Sequence, residues 1–195
     1  MTAGYNDPHL GLVVEGPGDA NALPILLRKV LAREGIYADV LGKPVACNGR
    51  QKALAPRGLE GFVAVAAARP GCRAVLVVLD GEGDPVCDVG PQLLARAKSV
   101  TSLPVAVCLA DCSYEDWLYA SCETLDIGLP SYDPSVRGTA AIKQALRPGK
   151  YVKPTWQPRL TTKLDPDLVN RRNVSFRRML EKLKVLTEAV VSYDR

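Results

Sequence analysis

Three short, uninterrupted apolar runs most constrain how this chain can fold. They span residues 10–14, 74–79 and 104–109, and segments with helical apolar spacing lie between them. Continuous apolar strands that alternate with helices are typical of a parallel sheet covered on both faces. The sequence therefore predicts an α/β fold with a mainly parallel sheet and helices on both faces.

The remaining elements follow from periodicity and from turn residues. We expect helices over residues 20–34, 54–69, 91–100, 139–146 and 175–191, and a further strand over 39–46. Ser113 is expected to cap a helix, with Asp116 in a capping-box position. Beyond about residue 130 the chain is rich in proline and turn residues. We predict a 1–130 α/β domain and a 131–195 basic C-terminal extension, helical or irregular, packed on it.

The charge of the chain is unevenly distributed. Residues 1–136 contain 11 Lys/Arg against 16 Asp/Glu, whereas residues 137–195 contain 14 against 5. An acidic front with a basic tail suits a metal site beside a polyanion-binding surface, but a solvated basic helix with no partner explains the tail equally well. No apolar run approaches the roughly 20 residues that cross a bilayer, and the polar, acidic N-terminus does not resemble a signal peptide. These features predict a cytoplasmic protein.

Histidine and cysteine usage excludes two common chemistries. His9 is the only histidine, and we expect it in a frayed N-terminus, so histidine-based acid–base catalysis is not predicted. The six cysteines follow no CxxC pattern, which favours buried, reduced thiols over a zinc site. The candidate chemistry therefore rests on carboxylates, lysines and a metal ion.

Acidic residues follow the predicted strands. Glu15, Asp80 and Asp111 come directly after them, and the carboxyl ends of parallel strands meet at one edge of a sheet. Glu82 and Asp84 follow Asp80 at alternating positions, with glycines that allow tight turns.

Converging carboxylates repel one another unless a hard cation such as Mg²⁺ or Mn²⁺ neutralises them. Asp80 and Glu82 are the expected metal ligands, with Asp84 as a further candidate. Glu15 or Asp19 completes the set, or Glu15 moves a proton. Purely structural roles stay open, with Asp19 as a helix cap, Asp84 as a turn residue and Glu115 at a helix start.

The stretches VVEGPGDANAL and VLVVLDGEGD resemble the TOPRIM fold of topoisomerases, bacterial primases and OLD-type nucleases. That fold uses a glutamate after its first strand and a D-x-D after a later one. Glu15, Asp80 and Glu82 occupy these positions here, so a longer glutamate replaces the second aspartate.

The chain is more closely similar to a prokaryotic TOPRIM-like family of unknown function, and the similarity spans nearly its whole length. The matching motifs are Glu15-Gly16 with Asp19, the acids from Asp80 to Asp84, Glu115-Asp116-Trp117, Tyr151-Val152-Lys153, Gln157 to Leu160, and Ser175-Phe176-Arg177.

The more distant resemblance to OLD-type nucleases implies further roles. It implies that Asp19 and Glu115 bind a second metal ion and that Lys153 stabilises charge at the phosphate. Arg171, Arg172, Arg177 and Arg178 are candidates to bind nucleic-acid phosphates, or to pair with the acidic half. We expect Trp117 in the core.

These expectations lead to one principal functional hypothesis and two alternatives. The first is a nuclease that depends on Mg²⁺ or Mn²⁺, implied by resemblance to act in anti-phage defence with an ATPase partner and to bind DNA or RNA. The second is a non-catalytic regulatory or partner-binding module of the same fold that binds metal or nucleotide. The third is a phosphatase-like enzyme with Asp80 as nucleophile.

Overall fold

The computed structural model describes residues 7–191, which form one four-stranded, all-parallel sheet with strand order β2–β1–β3–β4. The strands are β1 His9–Val14, β2 Val45–Ala46, β3 Cys72–Asp80 and β4 Val105–Ala110. The α-helices are α1 Pro17–Arg33, α2 Arg50–Leu54, α3 Gly58–Ala67, α4 Val86–Lys98, α5 Tyr114–Tyr119, α6 Gly138–Ala145, α7 Lys153–Lys163, α8 Pro166–Arg172 and α9 Val174–Val191.

Helices cover both faces of the sheet, as predicted from the continuous apolar strands. Side chains of successive strand residues point to opposite faces, so each strand contributes to two cores. Leu12 and Leu76 belong to the core under α1 and α9, and Val13 and Val77 to the core under α3 and α4. Trp117 is fully buried in the first core, as expected.

Two predicted elements differ from the structure because of proline. The strand predicted over residues 39–46 pairs continuously only at Val45–Ala46, directly after Pro44, which lacks the N–H that a ladder needs. The helix predicted over 54–69 begins only at Gly58 as α3, and the short helix α2 before it was not predicted. Ala55 is extended, as residues before a proline prefer to be, and Arg57 adopts a positive φ of 59°.

The proline-rich tail is more helical than its composition suggested. Two helices there, α7 and α8, were not predicted, because prolines were interpreted as markers of turns. Pro154 and Pro166 lie in the first turns of these helices, where the missing N–H costs nothing. Packing along α1 brings α7 to the carboxyl edge of the sheet.

One prediction about the N-terminal part of the chain is wrong. His9 is not frayed, because it opens β1 and its backbone N–H donates to the Gly71 carbonyl. The first six residues of the polar N-terminus lie outside the described residues. No helix within residues 7–191 is long and apolar enough to cross a membrane.

Candidate functional site

The site begins where β1 and β3 end side by side. The chain leaves β1 toward β2 on one side, while β3 lies on the other, so this is the point at which the strand order reverses. Crevices at such points are the usual ligand sites of parallel α/β sheets. Glu15 follows β1 and Asp80 ends β3, and the Asp80 backbone N–H donates to Glu15 Oε2 at 3.2 Å. The two acids that the sequence placed at one edge are therefore adjacent.

Asp19 lies in the first turn of α1 and has two partners. Its Oδ2 accepts the Gly16 backbone N–H at 3.0 Å, which caps the helix. Its Oδ1 accepts a hydrogen bond at 3.2 Å from the side-chain amide of Gln157, which is on α7. The capping role left open by the sequence is present, and the second contact ties Asp19 to the tail.

The Asp80 carboxylate is almost wholly buried, at 6% exposure, and each of its oxygens has a donor. The backbone N–H of Tyr114, at the start of α5, donates to Oδ1 at 2.8 Å. Lys153 Nζ, at the start of α7, donates to Oδ2 at 3.1 Å. Asp80 thereby connects the central strand to two helix N-termini, whose dipoles favour negative charge.

Glu115 is completely buried and accepts from several side chains. Tyr151 Oη and Gln157 Nε2 donate to its Oε1 at 2.7 and 3.0 Å. Thr139 Oγ1 donates to Oε2 at 3.4 Å, and Lys153 Nζ lies 3.7 Å from the same oxygen. We call Glu15, Asp19, Asp80, Glu115 and Lys153 the inner cluster.

Glu82 and Asp84 are held apart from the inner cluster by Arg50, a buried residue at the start of α2. Arg50 pairs with Asp84 at 2.6 Å and with Glu82 at 3.4 Å, and its Nε donates to the Asp80 carbonyl oxygen at 3.0 Å. Glu82 has a positive φ of 53°, so the loop turns sharply here. We call Glu82 and Asp84 the outer pair.

Burial dominates the electrostatics of the inner cluster. It raises the pKa of Glu15 and of Asp19, and it raises the pKa of Asp80 to about 7. Lys153 opposes the shift at Asp80, but desolvation together with the neighbouring acids outweighs it. The same acids raise the pKa of Lys153 despite its partial burial, so this lysine is positively charged. A concentration of buried negative charge with one compensating cation is typical of a binding or catalytic site.

Gly18 marks the close approach of α1 to α7. A Cβ at this position would lie 2.0 Å from Gln157 Oε1 and 3.0 Å from Lys153 Cβ. Gln157 Oε1 is buried and has no hydrogen-bond partner within the described part of the chain. The Gln157 amide therefore aims its donors at the carboxylates and leaves its acceptor against the glycine.

The four candidate arginines are in different environments. Arg172 forms a bidentate pair with Glu123, with both distances 2.7 Å, and stacks on Tyr132. Arg177 donates to the Asn170 carbonyl at 3.0 Å. Arg171 and Arg178 are exposed, and Arg178 lines a cavity of about 280 Å³ beside β4. Pairing with acids thus accounts for Arg172, while Arg171 and Arg178 face solvent.

Three further residues of the site, Arg50, Tyr151 and Gln157, were not predicted as site residues from the sequence. Arg50 carried no signal, since it follows a turn in an unremarkable segment. Tyr151 and Gln157 had a signal only as members of the tail motifs, and their contacts with Glu115 show where those motifs converge.

The arrangement bears on metal binding in two ways. Carboxylates at a sheet edge are donors that Mg²⁺ and Mn²⁺ prefer, and Glu15 Oε1 accepts no hydrogen bond from residues 7–191. Within those residues, however, no three acidic, histidine or cysteine side chains are grouped closely enough to hold a metal ion as they lie. The carboxylate oxygens of the inner cluster are nevertheless of the kind that a hard cation prefers, and Lys153 compensates part of their negative charge.

Comparisons with known proteins leave the family open. The chain matches no protein-family model, no curated protein and no solved structure.

Proposed function

We propose that this protein is a TOPRIM-type, divalent-metal-dependent nuclease that hydrolyses nucleic-acid phosphodiesters. The observation that carries the proposal is the contact of Glu15 with Asp80 at the point where the strand order reverses. Asp19 and Glu115 extend this acidic edge, and all four acids belong to the set that the resemblance implied.

Residues of the inner cluster have separate tasks in the proposed reaction. Glu15, which has an open oxygen, would hold the Mg²⁺ or Mn²⁺ ion, and Asp80 and Asp19 would join it by exchanging one of their hydrogen-bond donors for the ion. When bound, the ion supplies charge compensation for the phosphate and activates water. Lys153, at 40% exposure and beside Asp80, can reach a phosphate oxygen and balance the charge that develops there. Glu15 has an oxygen free to accept a proton from water.

The outer pair differs from the inner acids because both of its carboxylates pair with Arg50. Arg50 neutralises Glu82 and Asp84, so their service as ligands requires that Arg50 release them. The side chains of Glu82 and Asp84 are 55% and 45% exposed, which leaves room for such a movement.

The experiment is a cleavage assay on single- and double-stranded DNA and RNA. The purified protein is incubated with each substrate in Mg²⁺, Mn²⁺ or EDTA, beside Asp80→Ala. Glu188→Ala, which removes an exposed acid on α9, is the matched control. Metal-dependent cleavage that Asp80→Ala abolishes and the control retains is expected. Cleavage that persists in EDTA or in Asp80→Ala contradicts the proposal.

A second candidate function is a non-catalytic module that binds nucleic acid or a partner ATPase. The observation that favours it is the Lys153–Asp80 ion pair, which already compensates one of the acids. Binding of labelled nucleic acid without cleavage under any metal condition would support this candidate.

A further inference from the structure

Lys153 lies beside two acids of the inner cluster. Its Nζ lies 3.1 Å from Asp80 Oδ2 and 3.7 Å from Glu115 Oε2. Within residues 7–191 it is the one cationic side chain that forms an ion pair with either acid. An ammonium group between two carboxylates occupies the position of a bridging cation and compensates one of the two charges that a divalent ion would compensate.

Glu115 is closed to any other cation. Tyr151 and Gln157 share one of its oxygens, and Thr139 and Lys153 approach the other. The carboxylate has no exposed surface. A metal ion could bind Glu115 only by displacing several of these donors, each of which would then be buried without an acceptor.

Glu15 is the more accessible acid of the cluster. It is only partly buried, and one of its oxygens has no partner among the described residues. The acids of this site therefore differ in kind: Glu15 is open to a cation, whereas Glu115 serves to fix Lys153.

We infer that Lys153 takes the place of a second metal ion and that the site binds a single divalent cation on the Glu15 side. Glu115 is then a positioning residue for Lys153 and not a metal ligand. This inference rests on the proposed function, because it specifies how many ions the nuclease site holds. It also reverses the role that resemblance implied for Glu115.

Counting bound Mn²⁺ by electron paramagnetic resonance tests the inference without measuring activity. The wild-type chain is expected to bind one Mn²⁺. Lys153→Met retains the length of the stem but removes the charge, and it is expected to bind two. Lys150→Met removes an exposed lysine that forms no ion pair with any residue of 7–191, and it should bind one. Lys153→Arg retains the charge and should also bind one.

Thermal unfolding provides the second measurement. Lys153→Met leaves the buried acids without their cation, so its midpoint should fall in EDTA and recover in saturating Mn²⁺. If Lys153→Met does not fold in EDTA, refolding that requires Mn²⁺ supports the inference. Failure to refold at saturating Mn²⁺ overturns it.

The outcomes separate this inference from the proposed function. Two ions in the wild-type chain, together with metal-dependent cleavage, overturn the inference and leave the nuclease proposal intact. One ion in both the wild type and Lys153→Met also overturns it. No bound ion in either chain overturns the inference, and the cleavage assay then decides the nuclease proposal separately.

Discussion

Gly18→Ala should destabilise the protein although alanine is the better helix former. The new Cβ would lie 2.0 Å from Gln157 Oε1, against an ordinary contact of at least 3.4 Å, so the buried amide must move by about 1.4 Å. That movement breaks or lengthens the bonds from Gln157 to Asp19 and Glu115, at 3.2 and 3.0 Å.

The magnitude follows from three terms. Overpacking of a close contact costs about 1–3 kcal/mol, and weakening two bonds to charged acceptors adds about 1–3 kcal/mol. Replacing glycine inside a helix returns up to about 1 kcal/mol. We therefore expect a loss of about 3 kcal/mol in the free energy of unfolding, measured by urea denaturation with circular dichroism.

A double-mutant cycle isolates the cause. In a Gln157→Ala background the nearest atom to the Cβ of Gly18→Ala is Lys153 Cβ, at 3.0 Å, and the cost of the substitution should fall below about 1 kcal/mol. Gly61→Ala, where a Cβ meets nothing within 4 Å, is the helix control and should be neutral or stabilising. If Gly18→Ala is within 0.5 kcal/mol of wild type (about the additivity error of such cycles), or if its cost persists without Gln157, the reasoning is wrong.

Four further predictions concern charged residues. The pKa of Asp80 is raised from 3.8 to about 7, so its protonation contributes stability below pH 4 that is lost as pH rises through 7. The gain in urea midpoint caused by Asp80→Asn should therefore be larger at pH 8 than at pH 5. An equal gain at the two pH values contradicts this. Arg172→Ala should lose about 1–2 kcal/mol in urea unfolding, because it removes both the bidentate pair with Glu123 and the stacking on Tyr132, and an unchanged midpoint contradicts this. Arg178→Ala should leave stability unchanged but reduce the salt dependence of nucleic-acid binding by about 0.9 in log–log slope, measured by fluorescence anisotropy, and no change argues against a phosphate contact. Arg50→Met should lose about 1–3 kcal/mol in urea unfolding, because the buried Asp80 carbonyl oxygen loses its donor, and a loss below about 1 kcal/mol would show that water replaces it.

The sequence was most informative where a single local rule applied. Apolar strands identified β1, β3 and β4 because their burial on both faces leaves no polar position to confuse the pattern. Acids after those strands were placed at one edge by the geometry of parallel sheets alone, which brought Glu15 to Asp80 correctly.

Long-range packing accounts for what the sequence did not show. The spacing of Asp80, Glu82 and Asp84 predicted convergence on one ion, but Arg50 from a separate helix draws the last two away. No periodicity reveals such a partner 30 residues upstream of Asp80. The helix α7 was missed because proline tolerance depends on position within the first turn.

The acids at the sheet edge depend on partners from α7, so the chain cannot be cut before this helix without consequence. A fragment ending near residue 130 would retain Glu15, Asp19, Asp80 and Glu115 but lose Lys153, Tyr151 and Gln157. Four anionic groups would then meet with no counter-ion of their own. Such a fragment would also lose α9, which packs on β1, β3 and β4 and covers one face of the sheet, so acid or divalent salt alone should not restore its fold.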